Sequence, residues 1–253
     1  MQALRQLRES APKFIPRPQG KTVGFLSAKG GCGASTILCH VAAELVRGRD
    51  AVALLDLDFN GGLVSFLMKS SPAYSLTEVN GPGRLDLPSW KTCASHPPPG
   101  ADIFAGSGSM GPPKVSQVRR VLAFVEARYN WALIDLGRGL NSFVAAVLRE
   151  IGEVYLITTL DVPAMHQAKC IVRTLLEGGY QQDRIRLVVN RTPERLDVTP
   201  VELARCIGVP IDCFISNDYP DLYYAYSEGE LLDRNTQLGK QLSRFAARLL
   251  ARY

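Results

Sequence analysis

From Ser27 to Thr36 the chain reads Ser-Ala-Lys-Gly-Gly-Cys-Gly-Ala-Ser-Thr, with Gly30, Gly31 and Gly33 crowded ahead of two hydroxyls. Glycines at this spacing let successive backbone N–H groups curl around one anion, and a helix starting there adds the positive end of its dipole. Strand, glycine-rich turn and helix is the setting in which such a run binds phosphate. Ser35 then stands where a hydroxyl would ligate Mg²⁺. Two positions depart from the common G-x-x-x-x-G-K-S/T pattern. Ala28 replaces its first glycine, and Ala34 replaces the lysine that touches the β- and γ-phosphates. The lysine is five positions earlier, at Lys29. Further along, Asp56, Asp58 and Asp135 follow or close apolar runs, and Asn190 closes Leu187-Val188-Val189. Taken singly, each could be an ordinary strand-end cap or turn residue. Together with the glycine loop they suit a nucleotide site, where carboxylates hold the metal and its waters.

The elements that must position these residues alternate along the chain. Strands fit at about 22–28, 51–57, 102–105, 131–136, 153–159, 184–190 and 211–215. Helices fit at about 34–47, 114–129, 141–150, 163–177, 199–207, 220–228 and 237–252. Runs such as Ala51-Val52-Ala53-Leu54-Leu55 are continuously apolar, which indicates strands buried on both faces. The expected architecture is therefore α/β, a mainly parallel sheet with helices on both faces. In such sheets ligands sit beyond the carboxyl ends of the strands. The glycine loop, Asp56, Asp58, Asp135 and Asn190 all fall there.

Residues 1–20 read as an arm or linker, with Pro12, Pro16 and Pro18 after a short basic amphipathic start, and 21–253 read as one nucleotide-binding domain. The stretch 72–109 carries Pro82, Pro88, Pro97, Pro98 and Pro99 and reads as irregular apart from one short strand. It is equally a binding insertion or a long surface loop. From Leu238 to Tyr253 the chain is amphipathic. Leu238, Leu242, Phe245 and Leu249 form a stripe, and Lys240, Arg244, Arg248 and Arg252 run along the opposite side. Packing of that stripe on the core is expected over a membrane contact.

At 253 residues the chain suits one large core, and a net charge of +5 with pI near 8.9 is mildly basic. Six cysteines without a C-x-x-C pair read as reduced thiols of a cytoplasmic protein, and three scattered histidines show no metal spacing. No apolar run approaches the ~18 residues of a membrane span.

The loop resembles the deviant Walker A motif of the MinD/ParA ATPase family, K-G-G-x-G-K-S/T. Its variant K-G-G-x-G-A-S-T is most similar to the TadZ/CpaE-type localisation proteins of Tad (Flp) pilus systems. The resemblance continues through Leu54 to Gly62, Trp131 to Arg138, Leu187 to Arg191 and Ile215 to Asp218, and covers roughly Lys21 to Leu250. It implies a three-layer P-loop NTPase fold that binds ATP and Mg²⁺. By residue-for-residue match, Gly30, Gly31, Cys32, Gly33, Ala34, Ser35 and Thr36 form the phosphate cradle. Ser35 ligates Mg²⁺, and Asp135 holds a Mg²⁺-bound water as the Walker B carboxylate. Asp58 orients the attacking water, and Asp56 pairs with Lys29 when nucleotide is absent. Asn190 hydrogen-bonds the adenine, and the 215–218 stretch ending in Asp218 runs beside the base, with Ser216 in place of the family's usual proline. Gly137-Arg138-Gly139 is the second switch segment. Lys29 is the signature lysine, reaching across a two-fold homodimer to the partner's phosphates.

Losing the lysine at position 34 removes a full charge from the phosphates, so hydrolysis is expected to suffer more than binding. The implied function is an ATP-dependent dimer that positions pilus or secretion machinery, cytoplasmic or recruited to a pole, with weak or no hydrolysis. DNA is not an expected partner. An active ParA- or MinD-type ATPase in partitioning or division-site placement is the alternative, and Ala34 argues against it. The pilus relatives typically carry a receiver-like domain first, and only residues 1–20 precede the domain here.

Overall fold

The computed structural model describes residues 20–59, 61–71, 76, 94–97, 99–105 and 113–253. The arm at 1–19 and most of the proline-rich 72–109 stretch lie outside the described residues. Seven strands form a single parallel sheet: β1 (Lys21–Ser27), β2 (Val52–Asp56), β3 (Asp102–Ala105), β4 (Trp131–Arg138), β5 (Glu153–Thr158), β6 (Ile185–Thr192) and β7 (Ile211–Ser216). Their order across the sheet is β3-β2-β4-β1-β5-β6-β7. Among the described residues the α-helices are α1 (Ala34–Arg47), α2 (Val64–Leu67), α3 (Val115–Glu126), α4 (Ser142–Leu148), α5 (Val162–Glu177), α6 (Pro200–Ile207), α7 (Tyr219–Ser227) and α8 (Gln237–Ala251).

Alternate residues of the central strands enter two separate cores, as a strand's twofold side-chain period requires. Phe25, Leu54, Leu133, Tyr155 and Val188 point into one, which is closed by α1 and α8. Leu26, Leu55, Ile134, Leu156 and Val189 point into the other, closed by α3, α4 and α5. The expected three-layer α/β architecture is thus the one observed. α2 was not foreseen from the sequence. At four residues it is too short to show a helical period.

Side-chain caps fix where several helices begin. Asn141 Oδ1 accepts from the Val144 N–H at 2.9 Å, starting α4. Thr199 and Glu202 form a reciprocal box at the start of α6. Asp161 accepts from the Ala164 N–H at 3.1 Å ahead of Pro163 in α5.

The terminal helix α8 buries its stripe. Leu238, Leu242, Phe245 and Leu249 are all core residues, as the amphipathic pattern predicts. Its basic residues Lys240, Arg244, Arg248 and Arg252 are exposed, as expected, and two of them also find partners on β7. Arg252 bonds the Asp212 carboxylate, and the Arg248 guanidinium donates to the Asp212 carbonyl oxygen at 3.2 Å. Two of the four charges therefore tie the helix to β7 while remaining exposed.

Candidate phosphate and metal site

β1 delivers the chain into the glycine loop, and the N–H of Ala28 is held by the Ile157 carbonyl of β5 at 2.8 Å. Gly31 and Gly33 take φ of +86° and +95°, left-handed backbone that favours glycine. Gly33 caps α1 with no side chain in the capping position, and the first turn holds no acidic residue. Among the described residues, no acceptor meets the N–H groups of Gly31, Gly33, Ala34, Ser35 or Thr36. They form an unfilled nest of donors at the positive end of a 14-residue helix. Gly30 and Gly31 are exposed, Cys32 and Ala34 are buried, and Ser35 and Thr36 are half-buried.

The acidic side of the site lies where β2 ends beside β4. Asp56 and Asp135 are register partners on adjacent strands. Asp56 Oδ1 accepts from the Asp58 N–H at 3.0 Å and its Oδ2 from the Val64 N–H at 3.3 Å. Burial, then the charge of Asp135, pushes the Asp56 carboxyl up to about 7. Asp135 is fully buried. Its Oδ1 accepts from the Gly137 N–H at 2.9 Å, while its buried Oδ2 has no hydrogen-bond partner. Burial raises its pKa, and the nearby Ser35 hydroxyl and the Gly137 N–H oppose the rise. Asp58 sits against the β4 end, since a Cβ placed on Gly137 would come within 2.9 Å of its Cγ.

Two buried carboxyls, one with an unpartnered oxygen beside a serine hydroxyl, are an arrangement that a divalent cation relieves. Among the described residues, no group of three His, Cys, Asp or Glu side chains could cage a metal by itself. That suits Mg²⁺, which keeps its waters and takes one or two carboxylates plus phosphate oxygens. The residues therefore fit the metal.

Lys29 does not pair with Asp56 as expected. Asp56 is buried under its backbone donors, whereas Lys29 is exposed on the loop, and its Nζ lies 2.9 Å from Asp161 Oδ1. The Thr159 hydroxyl and Lys29 hold the Asp161 carboxyl down to about 2. Asp161 was missed in the sequence. An aspartate two residues before a helix proline could have marked it as a cap, but not as the partner of Lys29.

The residues assigned to the base converge as well. Asn190 Nδ2 donates to the Cys32 carbonyl oxygen at 2.8 Å, tying β6 to the loop. Gly33, Thr36, Asn190, Ser216 and Asp218 line one cleft beside the start of α1. Asp218 stands at the N-terminal cap of α7 without capping it through its side chain.

On the other side of α1, His40 Nδ1 donates to the Thr36 carbonyl at 2.8 Å and Nε2 accepts from the Leu232 N–H at 3.0 Å, so the ring is neutral. Burial lowers its pKa, and the Arg47 charge adds to this against Thr36 and Glu44. The unfolded chain then binds a proton that the folded chain refuses, so this contribution is complete above ~6.5 and is lost as pH falls below it. Urea midpoints between pH 7.5 and 5.5 are expected to drop less steeply in His40→Ala than in the wild type. Comparing slopes isolates His40, because the raised pKa of Asp56 acts in the opposite direction: its contribution is lost as pH rises towards about 7.

No protein-family model and no curated protein matches the sequence. Solved structures do match. A ParA family ATPase from Chlorobium tepidum superposes with a TM-score of 0.82 at 24% identity, covering 92% of this chain and 100% of that one. The MinD cell division protein of Aquifex aeolicus gives 0.77 at 16% identity, covering 92% and 97%. The septum site-determining MinD of Pyrococcus horikoshii, solved with Mg-ADP, gives 0.74 at 18% identity, with the same coverage of 92% and 97%. The chain thus has the α/β P-loop fold of these ATPases, with its glycine loop leaving the strand at the middle of a seven-stranded parallel sheet.

Proposed function

We propose that the chain binds ATP with Mg²⁺ and that the bound nucleotide closes a two-fold homodimer, which acts as a positional mark with little or no turnover. The observation that carries this reading is the unfilled N–H nest at α1 facing the buried Asp56–Asp135 pair, with Ala34 where a phosphate lysine would stand. A structural neighbour solved with Mg-ADP supports the ligand class. In this reading the N–H groups of Gly31 to Thr36 hold the phosphates, Ser35 and Asp135 hold the metal, and Asn190 with the Asp218 segment holds the base. Asp58 is placed to orient a water. When bound, Mg²⁺ supplies the charge that neutralises the terminal phosphate oxygens.

Lys29 supplies the switch. Its pair with Asp161 leaves both side chains about two-fifths exposed, and exposed pairs are worth only about 0–1 kcal/mol. Little is lost when the lysine swings out to a second copy of the chain. Because each subunit then completes the other's site, nucleotide binds the dimer better than the monomer. In this reading the partners are pilus or secretion machinery, which the similarity of the K-G-G-x-G-A-S-T motif to TadZ/CpaE-type proteins supports. An active partitioning or division ATPase is the other reading, and the alanine at position 34 weighs against it.

Sedimentation with and without Mg-ATP tests the switch. The wild type is expected to shift towards dimer with nucleotide, and Lys29→Ala to need at least ~10-fold more protein, a change of about 1.4 kcal/mol. Identical monomer–dimer equilibria with and without nucleotide would remove the switch.

A further inference from the structure

Ala34 leaves the loop without an in-chain lysine, yet another cation stands at its rim. β4 does not end near Asp135. It runs on through Leu136 and Gly137 to Arg138, which pairs in register with Ser27 at the end of β1. The Gly139 N–H then bonds the Ser27 carbonyl at 2.8 Å, locking this extension to the strand that feeds the loop. From there the Arg138 side chain lies along the loop. A Cβ placed on Gly30 would be 3.4 Å from its Nη1 and 3.6 Å from its Cδ. Among the described residues, the Arg138 side chain has no hydrogen-bond or ion-pair partner, and it is exposed. Lys29, by contrast, is drawn towards Asp161 at the start of α5.

An unpaired guanidinium resting on a glycine nest is poorly explained as packing. Its planar fork matches two phosphate oxygens at once, and it stays charged at any working pH. The backbone that carries it also carries Asp135 three positions earlier, and Gly137 between them touches Asp58. It therefore approaches the loop from the metal side. We propose that Arg138 contacts the phosphates of the nucleotide bound by its own chain, supplying from β4 the cation that is missing at Ala34. This rests on the nucleotide reading above. It also accounts for a loop that lacks its lysine yet keeps an intact cradle, because the charge is supplied from the neighbouring strand end.

Calorimetric titration of Mg-ATP into wild type, Arg138→Ala and Arg138→Lys tests it. Arg138→Ala is expected to weaken Mg-ATP at least ~10-fold and Mg-AMP far less, with the urea midpoint unchanged because the residue is exposed and unpaired. Arg138→Lys is expected to recover part of the loss, and the salt dependence of binding to flatten only in the alanine variant. Equal affinities of wild type and Arg138→Ala for Mg-ATP would overturn the proposal while leaving the nucleotide reading intact. A lowered urea midpoint with equal losses for ATP and AMP would assign Arg138 a structural role and also overturn it. No binding by the wild type would overturn both.

Discussion

Phe245→Ala is expected to destabilise the protein by about 3–5 kcal/mol, the cost of emptying a large aromatic site in a close-packed core. Phe245 is fully buried, and its ring meets Tyr155 edge-on at 5.0 Å between centroids. Tyr155 in turn stacks on Phe25 of β1 at 5.5 Å. This column lies in one core, on one face of the sheet, and joins the terminal helix to the strand that leads into the glycine loop. Urea denaturation measures the loss, and a value below about 1 kcal/mol would mean that α8 is not an integral part of the core. The same burial bears on membranes. Leu238, Leu242, Phe245 and Leu249 are already covered by protein, so salt-sensitive binding to anionic vesicles through this helix is not expected.

Gly33→Ala is the second change with a large expected effect. Position 33 has φ of +95°, and an added Cβ would sit 2.5 Å from Asn190 Nδ2. The methyl group must drive off the amide that holds the Cys32 carbonyl, and the left-handed backbone costs a further ~1–2 kcal/mol. Because the N–H groups of residues 33 and 34 lose their aim as the loop shifts, Mg-ATP affinity is expected to fall at least ~100-fold, about 2.7 kcal/mol. Gly31→Ala is the control. Its φ of +86° carries the same strain, but an added Cβ meets nothing within 4 Å. It should lose stability while keeping most of its affinity. Wild-type binding by Gly33→Ala would mean that the nest is not where phosphate sits.

Much of this architecture was legible in the sequence because its signals are local. Continuous apolar runs such as Val52–Leu55 mark strands with helices on both faces, and the glycine loop between strand and helix marks the phosphate site. Legibility stops where a residue's role depends on what lies across a strand end. Lys29 has acidic candidates on several segments, and only the fold shows that it meets Asp161 while Asp56 is sealed under the Asp58 and Val64 N–H groups. β4 outruns its apolar stretch because Ser27 offers Gly139 a backbone acceptor, and no side-chain pattern records that. The basic side of α8 is exposed as its pattern suggests, but the contacts of Arg248 and Arg252 with Asp212 depend on β7 lying alongside and leave no local signal. A shared place at the strand ends could be expected from the sequence. The register pairing of Asp56 with Asp135, their burial and the unpartnered Asp135 Oδ2 could not.

In the function proposed, this loop holds Mg-ATP without turning it over rapidly. Calorimetric titration followed by phosphate release on the same sample tests it most directly. Saturable, Mg²⁺-dependent binding at one site per chain is expected, lost in Gly33→Ala, with turnover far below the ~10 s⁻¹ typical of enzymes. No binding at millimolar ATP, or unaided turnover near ~10 s⁻¹, would contradict it.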